Sequence, residues 1–290
     1  MQWPHAETAV ITGAASGIGS AIAVALAGEG WKVGIADINE DGAANTLEKV
    51  KEAGGTGEIY NCDVGKLEDV QAMADHFFDS WGKVGLLVNN VGIGGGGPIG
   101  ATPIEDWKLV VETNYWSVIY GCHAFVPRMK TQGGGHILNT ASGAGLVSTA
   151  EMAPYCSTKA AVVALSQTLK VELAPYNIGV TVLCPSCVST DIVKHTLERT
   201  GFEEYSDGWG MEFMRVAWSK TNITPEYEAA RVLKALERNK LYIKPRAPGF
   251  ALSVLNARIS PEIYYQMWAY LNKKGFAKPI YMKMAQMGWI

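Results

Sequence analysis

The chain has 290 residues, of which 48% are hydrophobic and 18% charged, and its net charge is −3. This describes a globular protein with room for one large α/β domain and excludes a disordered chain. The slightly acidic balance gives no electrostatic case for nucleic acid or for an anionic membrane.

No apolar run reaches the roughly 18 residues of a transmembrane helix, so no membrane span is expected. The opening Met1-Gln2-Trp3-Pro4-His5 lacks the basic and apolar regions of a signal peptide. The five cysteines, Cys62, Cys122, Cys156, Cys184 and Cys187, are odd in number and lie mostly in apolar segments. They read as reduced thiols in a cytoplasmic protein. The low charged fraction suggests more buried surface than a monomer needs, hence an oligomer.

Residues 6–11 form an apolar run that leads into Thr12-Gly13-Ala14-Ala15-Ser16-Gly17-Ile18-Gly19, and residues 20–29 read as an alanine-rich helix. Strand, glycine turn and helix make the phosphate-binding unit of a doubly wound fold, here spaced TGxxxGxG instead of GxGxxG. The second strand, residues 31–36, ends at Asp37. An acid there is placed to accept hydrogen bonds from an adenosine ribose and to repel a 2′-phosphate. No arginine or lysine stands at Ser16 or Ile38 to offset that repulsion, which favours NAD over NADP. Asp37 also reads as a cap for a helix over residues 39–53, and both readings stay open.

A third strand over residues 57–62 is followed by Asp63-Val64 and a helix over 66–81. Residues 85–88 are wholly apolar, as a central parallel strand covered on both faces should be. They run into Asn89-Asn90-Val91-Gly92 and then a loop, 93–98, with four consecutive glycines, expected to be mobile. A long helical stretch over 103–130 contains Asn114. The fifth strand, 136–141, ends at Ser142. The helix over 154–175 carries Tyr155 and Lys159 on one face, one turn apart. Its outer face of Ala160, Val163, Ala164, Ser166, Gln167 and Leu169 is small and apolar. A homodimer or homotetramer through the 103–130 and 154–175 helices is therefore expected. A sixth strand, 180–184, ends at Pro185. This alternation implies a single Rossmann-like α/β domain over residues 1–250, with about seven parallel strands and right-handed crossovers.

Beyond Pro185 the pattern loosens. Residues 186–224, with Trp209, Phe213, Met214 and Trp218, read as a substrate lid. An amphipathic helix over 226–239 and a short strand over 241–243 close the domain. The extension at 251–290 is rich in aromatics and methionine, beside several lysines. Packing on the same domain or a neighbouring subunit, covering an apolar substrate site, and touching a membrane surface are all open to it.

Tyrosine is a poor acid-base group at neutral pH, with an unperturbed pKa of about 10. An ammonium about 4 Å from the phenolate, at an effective dielectric of about 20, contributes about 4 kcal/mol. That would lower the phenol by about 3 units, into the range of useful proton transfer. Ser142 could hold a carbonyl or hydroxyl oxygen against it.

Taken together, these motifs resemble the short-chain dehydrogenase/reductase family over most of residues 6–245. The glycine turn matches the family's cofactor loop, and Asn89-Asn90-Val91-Gly92 its NNAG with valine for alanine. Asn114, Ser142, Tyr155 and Lys159 fall at the spacing of its catalytic set. The resemblance implies that Tyr155 is the general acid-base and that Lys159 lowers its pKa and holds the nicotinamide ribose. It further implies that Ser142 positions the reacting oxygen and Asn114 holds a relay water. It assigns the cofactor to Gly13, Ser16, Gly17, Ile18, Gly19, Asp37 and Ile38. It adds Asp63 and Val64 at the adenine, Asn90 and Gly92 along the ribose side, and Pro185, Val188 and Thr190 at the nicotinamide. Pro185-Ser186 replaces the family's PG, and the tail past residue 245 has no counterpart motif.

Cys184-Pro185-Ser186-Cys187 is a CxxC, but Cys184 closes a buried strand and no second pair completes a metal site, so no metal is expected. The expected activity is hydride transfer between NAD(H) and a secondary alcohol or ketone. Ala144, Met152, Trp209, Phe213 and Trp218 would shape a pocket for a bulky apolar substrate, aromatic, steroid-like or terpenoid. Two other readings compete. An NADPH-dependent 3-oxoacyl-type reductase is opposed by Asp37. A non-catalytic NAD-binding subunit is opposed by the intact four-residue set.

Overall fold

The computed structural model describes residues 7–200, 210–246 and 248–288. Seven strands form one sheet: β1 Thr8–Thr12, β2 Lys32–Asp37, β3 Thr56–Asn61, β4 Leu86–Asn89, β5 Gly135–Thr140, β6 Ile178–Leu183 and β7 Tyr242–Ile243. Their order is β3-β2-β1-β4-β5-β6-β7 and every pairing is parallel. Chain order therefore reverses direction between β1 and β4. Open α/β sheets bind ligands at such a switch point, outside the strand C-termini.

The helices before the extension are α1 Gly17–Gly28, α2 Glu40–Glu52, α3 Leu67–Trp81, α4 Ile104–Val111, α5 Ser117–Thr131, α6 Ala153–Glu172, α7 Ile192–Thr200, α8 Gly210–Lys220 and α9 Pro225–Glu237. The period-two alternation of the strands sorts their side chains onto two cores. Val10, Leu87, Ile137, Val180 and Val182 meet Phe77, Phe125, Met129 and Val162 from α3, α5 and α6. Ala9, Ile11, Val33, Leu86, Val88 and Leu138 meet Ile22 and Leu26 of α1 and Val232 and Leu236 of α9. Between β4 and β5, Asn89 Nδ2 donates to Asn139 Oδ1 (2.9 Å), and Asn139 Nδ2 to Ser166 Oγ (3.0 Å). This buried polar chain ties α6 to the middle of the sheet.

Three expectations change. The stretch read as one helix over 103–130 is interrupted by a π turn, Glu112–Trp116, with Asn114 at its centre. Such bulges insert one residue into a helix and re-aim the side chains around it. On α6, Val163, Ser166 and Leu169 belong to the core; only Ala160, Ala164 and Gln167 of the expected outer face are exposed. Their spacing of three turns them onto the sheet. The glycine loop after β4 is closely packed and not merely loose. A side chain at Gly94 would strike Thr196, one at Gly95 would strike Val110, and Gly97 N–H donates to Glu151 C=O (2.7 Å).

The segment expected to be a lid holds α7 and α8. The extension folds into α10 Pro248–Ile259, α11 Pro261–Lys273 and α12 Ala277–Gln286, with α12 packed on α8.

Candidate active site

The turn between β1 and α1 needs glycine twice for backbone reasons. Gly13 and Gly17 have φ of +66° and +54°, a region that L side chains rarely adopt. Gly19 serves contact instead: a side chain there would strike the Gly13 carbonyl and the Asn90 amide. Ser16 stands at the N-cap of α1 without a side-chain cap bond, and the first turn holds no acid. The uncapped amides and the positive end of the helix thus suit a phosphate group.

Asp37 pins this turn in place. Its Oδ2 accepts from Ala15 N–H and its Oδ1 from Asn39 N–H, both at 2.9 Å. The cap of α2 is Asn39, which accepts from Gly42 N–H (3.1 Å), so the capping reading passes from Asp37 to the residue two positions on. Asn90 buttresses the turn from β4. Its N–H donates to Thr12 Oγ1 (3.1 Å) and its Nδ2 to Gly13 C=O (3.2 Å). Its Oδ1 accepts from Thr140 Oγ1 (3.2 Å).

Ser142, Tyr155, Lys159 and Asn114 come together beside this turn. Ser142 follows β5; its Oγ accepts from Ala144 N–H (3.1 Å) at a 3-10 turn, Gly143–Gly145, and shares a hydrogen bond with the Tyr155 hydroxyl. Tyr155 occupies the first turn of α6. Lys159, one turn on, is only 2% exposed, and its Nζ donates to Thr140 C=O (3.1 Å). Asn114 is fully buried. Its Oδ1 accepts from Ile93 N–H (2.7 Å), while Nδ2 donates to Ile93 C=O (2.9 Å) and Thr158 Oγ1 (3.4 Å). The amide is thereby committed chiefly to fixing the backbone at Ile93, next to the lysine.

Burial dominates the electrostatics. It pushes the Tyr155 phenol up to about 12, with the Ser142 hydrogen bond opposing, and brings the Lys159 ammonium down to about 8, with Cys184 opposing. The lysine does not draw the phenol towards neutrality in the free chain, as the spacing had suggested. Its Nζ is turned to Thr140 and stands 5.8 Å from the Tyr155 ring centroid, where Coulomb attraction loses to desolvation.

Gly92 is part of this arrangement. A Cβ there would stand 2.9 Å from Lys159 Nζ and 3.3 Å from Asn114 Oδ1. Gly92→Ala should therefore displace the ammonium and lower kcat/KM by about tenfold to a hundredfold. Steady-state kinetics on the variant check this, and unchanged kinetics would show that Nζ is not held against that backbone.

A cavity of about 390 Å³ joins the parts. Gly13, Ser16, Gly17, Ile18, Asp37, Asn90 and Gly92, all expected at a cofactor, line it. Pro185, Val188 and Thr190 border it after β6, and Ala144, Met152 and Trp218, expected at a substrate, line it too. Gly19, Ile38, Asp63 and Val64 do not reach it. Gly19 packs inward, Ile38 is 66% exposed and Val64 is buried. Asp63 Oδ1 accepts from Gly65 N–H (3.0 Å), and its Oδ2 pairs with Lys66 (3.3 Å). Trp209 and the Phe213 side chain lie outside the described residues.

The sequence reading missed several lining residues: Val147, Ile192 and His195, and from the extension Ser253, Tyr264, Tyr281 and Met284. The tail's aromatic content hinted at a cover, but nothing local said which of its side chains would face inward. Cys184 and Cys187 are free thiols that burial pushes up to about 12, which keeps them protonated at neutral pH. No group of metal-binding side chains occurs among the described residues.

Residues 7–201 match the family model of short chain dehydrogenases. Over 245 residues the chain is 34% identical to the probable oxidoreductase EphD of Mycobacterium tuberculosis, covering 82% of this chain and 40% of that protein. It thus spans about two fifths of the length of that relative. The fold matches a short chain dehydrogenase/reductase from Burkholderia phymatum in complex with NAD, with TM-score 0.82, 31% identity, 91% of this chain and 96% of that one. It also matches a 7α-hydroxysteroid dehydrogenase complexed with NADH and 7-oxo glycochenodeoxycholic acid, with TM-score 0.71, 28% identity, 83% of this chain and 92% of that one. A family match running from β1 into α7 establishes that this chain belongs to the short chain dehydrogenase family.

Proposed function

We propose that the protein is an NAD-dependent dehydrogenase that interconverts a bulky apolar secondary alcohol and its ketone. The observation that carries this reading is the shared cavity, where Ser142, Tyr155 and Lys159 meet the uncapped N-terminus of α1. A bound nicotinamide supplies the hydride acceptor in oxidation and the donor in reduction. The chain's own residues handle the oxygen and its proton. Ser142 holds the reacting oxygen against the phenol, and Tyr155 takes the hydroxyl proton in oxidation and returns it in reduction. Lys159 supplies positive charge beside the phenolate, and Gly92 with Asn114 keeps its Nζ in place.

Asp37 and the absence of a cation at Ser16 or Ile38 favour NAD, as does the NAD-bound structural neighbour. A 2′-phosphate beside Asp37 would be a like-charge contact costing several kcal/mol. The small Ala144 and the apolar walls from Val147, Met152 and Trp218 support a bulky substrate. The steroid dehydrogenase among the neighbours points the same way.

The test is a panel of aromatic, steroid and terpenoid secondary alcohols with NAD or NADP, read by absorbance of the reduced cofactor. NAD should exceed NADP in kcat/KM by about tenfold or more. Faster turnover with NADP would favour an acyl-type ketoreductase. No turnover on any alcohol would leave a non-catalytic NAD-binding subunit.

A further inference from the structure

The outer surface of the extension differs chemically from the rest of the chain. Past Pro245 it carries Arg246, Arg258, Lys273, Lys274, Lys278 and Lys283 against a single acid, Glu262, although the whole chain is net negative. Lys278 pairs with Glu212 (2.8 Å). Arg258, Lys273, Lys274 and Lys283 are exposed and make no ion pair among the described residues.

Between these charges along the sequence stand large exposed apolar side chains. Ile259 and Ile263 are each 71% exposed, Tyr270 is 60% and Phe276 is 58%. Their spacing is helical: Leu255 and Ile259 on α10, Ile263, Met267 and Tyr270 on α11, and Phe276 and Ile280 at the start of α12. The inward stripe is a separate set. Tyr264, Trp268 and Tyr281 pack on one another, and Tyr264, Tyr281 and Met284 border the cavity. A helix that is apolar on two faces needs cover on both, and here only the inner face has it among the described residues.

We propose that α10–α12 form a docking surface for an anionic lipid bilayer. The apolar stripes would enter the boundary between headgroups and acyl chains, and the lysines would lie among the anionic headgroups. Charge selects this occupant. A second copy in a two-fold contact would set the same lysines against one another, whereas anionic lipid neutralises them. No helix among the described residues is long and apolar enough to cross a membrane, so the attachment is to one leaflet. Association of two copies through α4–α6 would use a different face. The docked helices are also the cavity's outer wall, which brings the site next to the phase where apolar alcohols partition.

The experiment is co-sedimentation of the full chain with vesicles of phosphatidylcholine alone or mixed equally with phosphatidylglycerol, with solution mass measured in parallel. The bound fraction should rise severalfold with phosphatidylglycerol and fall as salt is added. It should be lost in Ile263→Glu with Phe276→Glu, and reduced in Lys273→Glu with Lys274→Glu. None of these side chains lines the cavity, so NAD-coupled turnover of a water-soluble alcohol and the unfolding midpoint should not change. Equal binding by the variants, or no binding to either vesicle, overturns the proposal. So does a lower solution mass in the variants without lipid, which would make the face a contact between copies.

Discussion

Tyr155→Phe should lower turnover by about three orders of magnitude while NAD still binds. Phenylalanine keeps the ring in the first turn of α6 and deletes one hydroxyl, so the cavity wall and the glycine turn are unaltered. The loss falls on proton transfer, because the deleted hydroxyl is the one that shares a hydrogen bond with Ser142. Ser142 loses its partner but keeps its bond from Ala144 N–H, so stability should fall by only about 1 kcal/mol. Steady-state rates and an NADH fluorescence titration separate the two effects. Near-normal turnover in the variant would remove Tyr155 from the chemistry. Loss of NADH binding together with turnover would make its role structural.

Lys159→Met should abolish most activity and also change how stability depends on pH. Burial lowers the ammonium from its ordinary 10.5 to about 8, so the folded state disfavours the charge that the unfolded chain carries freely. Between about pH 8 and 10.5 the unfolded chain binds the extra proton, and wild-type stability gains as pH rises through that window. Below pH 8 the full cost is present, on the order of 3 kcal/mol. Methionine keeps the length of the side chain without the charge. Relative to wild type, the variant should therefore be more favoured at pH 7 than at pH 10.5 by about 3 kcal/mol. Loss of the bond to Thr140 C=O is common to both conditions and largely cancels in that difference. Denaturant unfolding at the two pH values measures it. A gap that does not change with pH would mean that Lys159 is solvated as well in the folded chain as in the unfolded one.

Both predictions rest on residues that were readable locally. A glycine turn requires particular backbone conformations, and a YxxxK pair shares a helix face wherever it occurs, so TGxxxGxG and Tyr155/Lys159 carried their meaning within a few residues. Strand-helix alternation was legible for the same reason: apolar periodicity reports which faces are covered. The π turn at Asn114 was not legible, because inserting one residue into a helix leaves composition and most of its periodicity intact. Nor was the service of Asn90 and Asp37 to the glycine turn, which depends on partners up to 78 positions away.

The protonation of the site shows the same division. Spacing alone suggested a phenol tuned downwards, since it counts the nearby charge and not the lost water. The fold buries both groups, and desolvation then outweighs attraction in the free chain.

By itself the sequence determined the doubly wound sheet, the glycine turn between its first strand and helix, and the placing of Tyr155 and Lys159 one turn apart on a helix. These follow from local backbone preference and from the pairing of apolar periodicity with sheet and helix. Tertiary structure alone decided that the extension closes the cavity with Tyr264, Tyr281 and Met284 and turns Ile263 and Phe276 outward. A helix with apolar residues on two faces carries no local signal for which face packs inward. Only its docking against α8 and its neighbouring helices makes that choice.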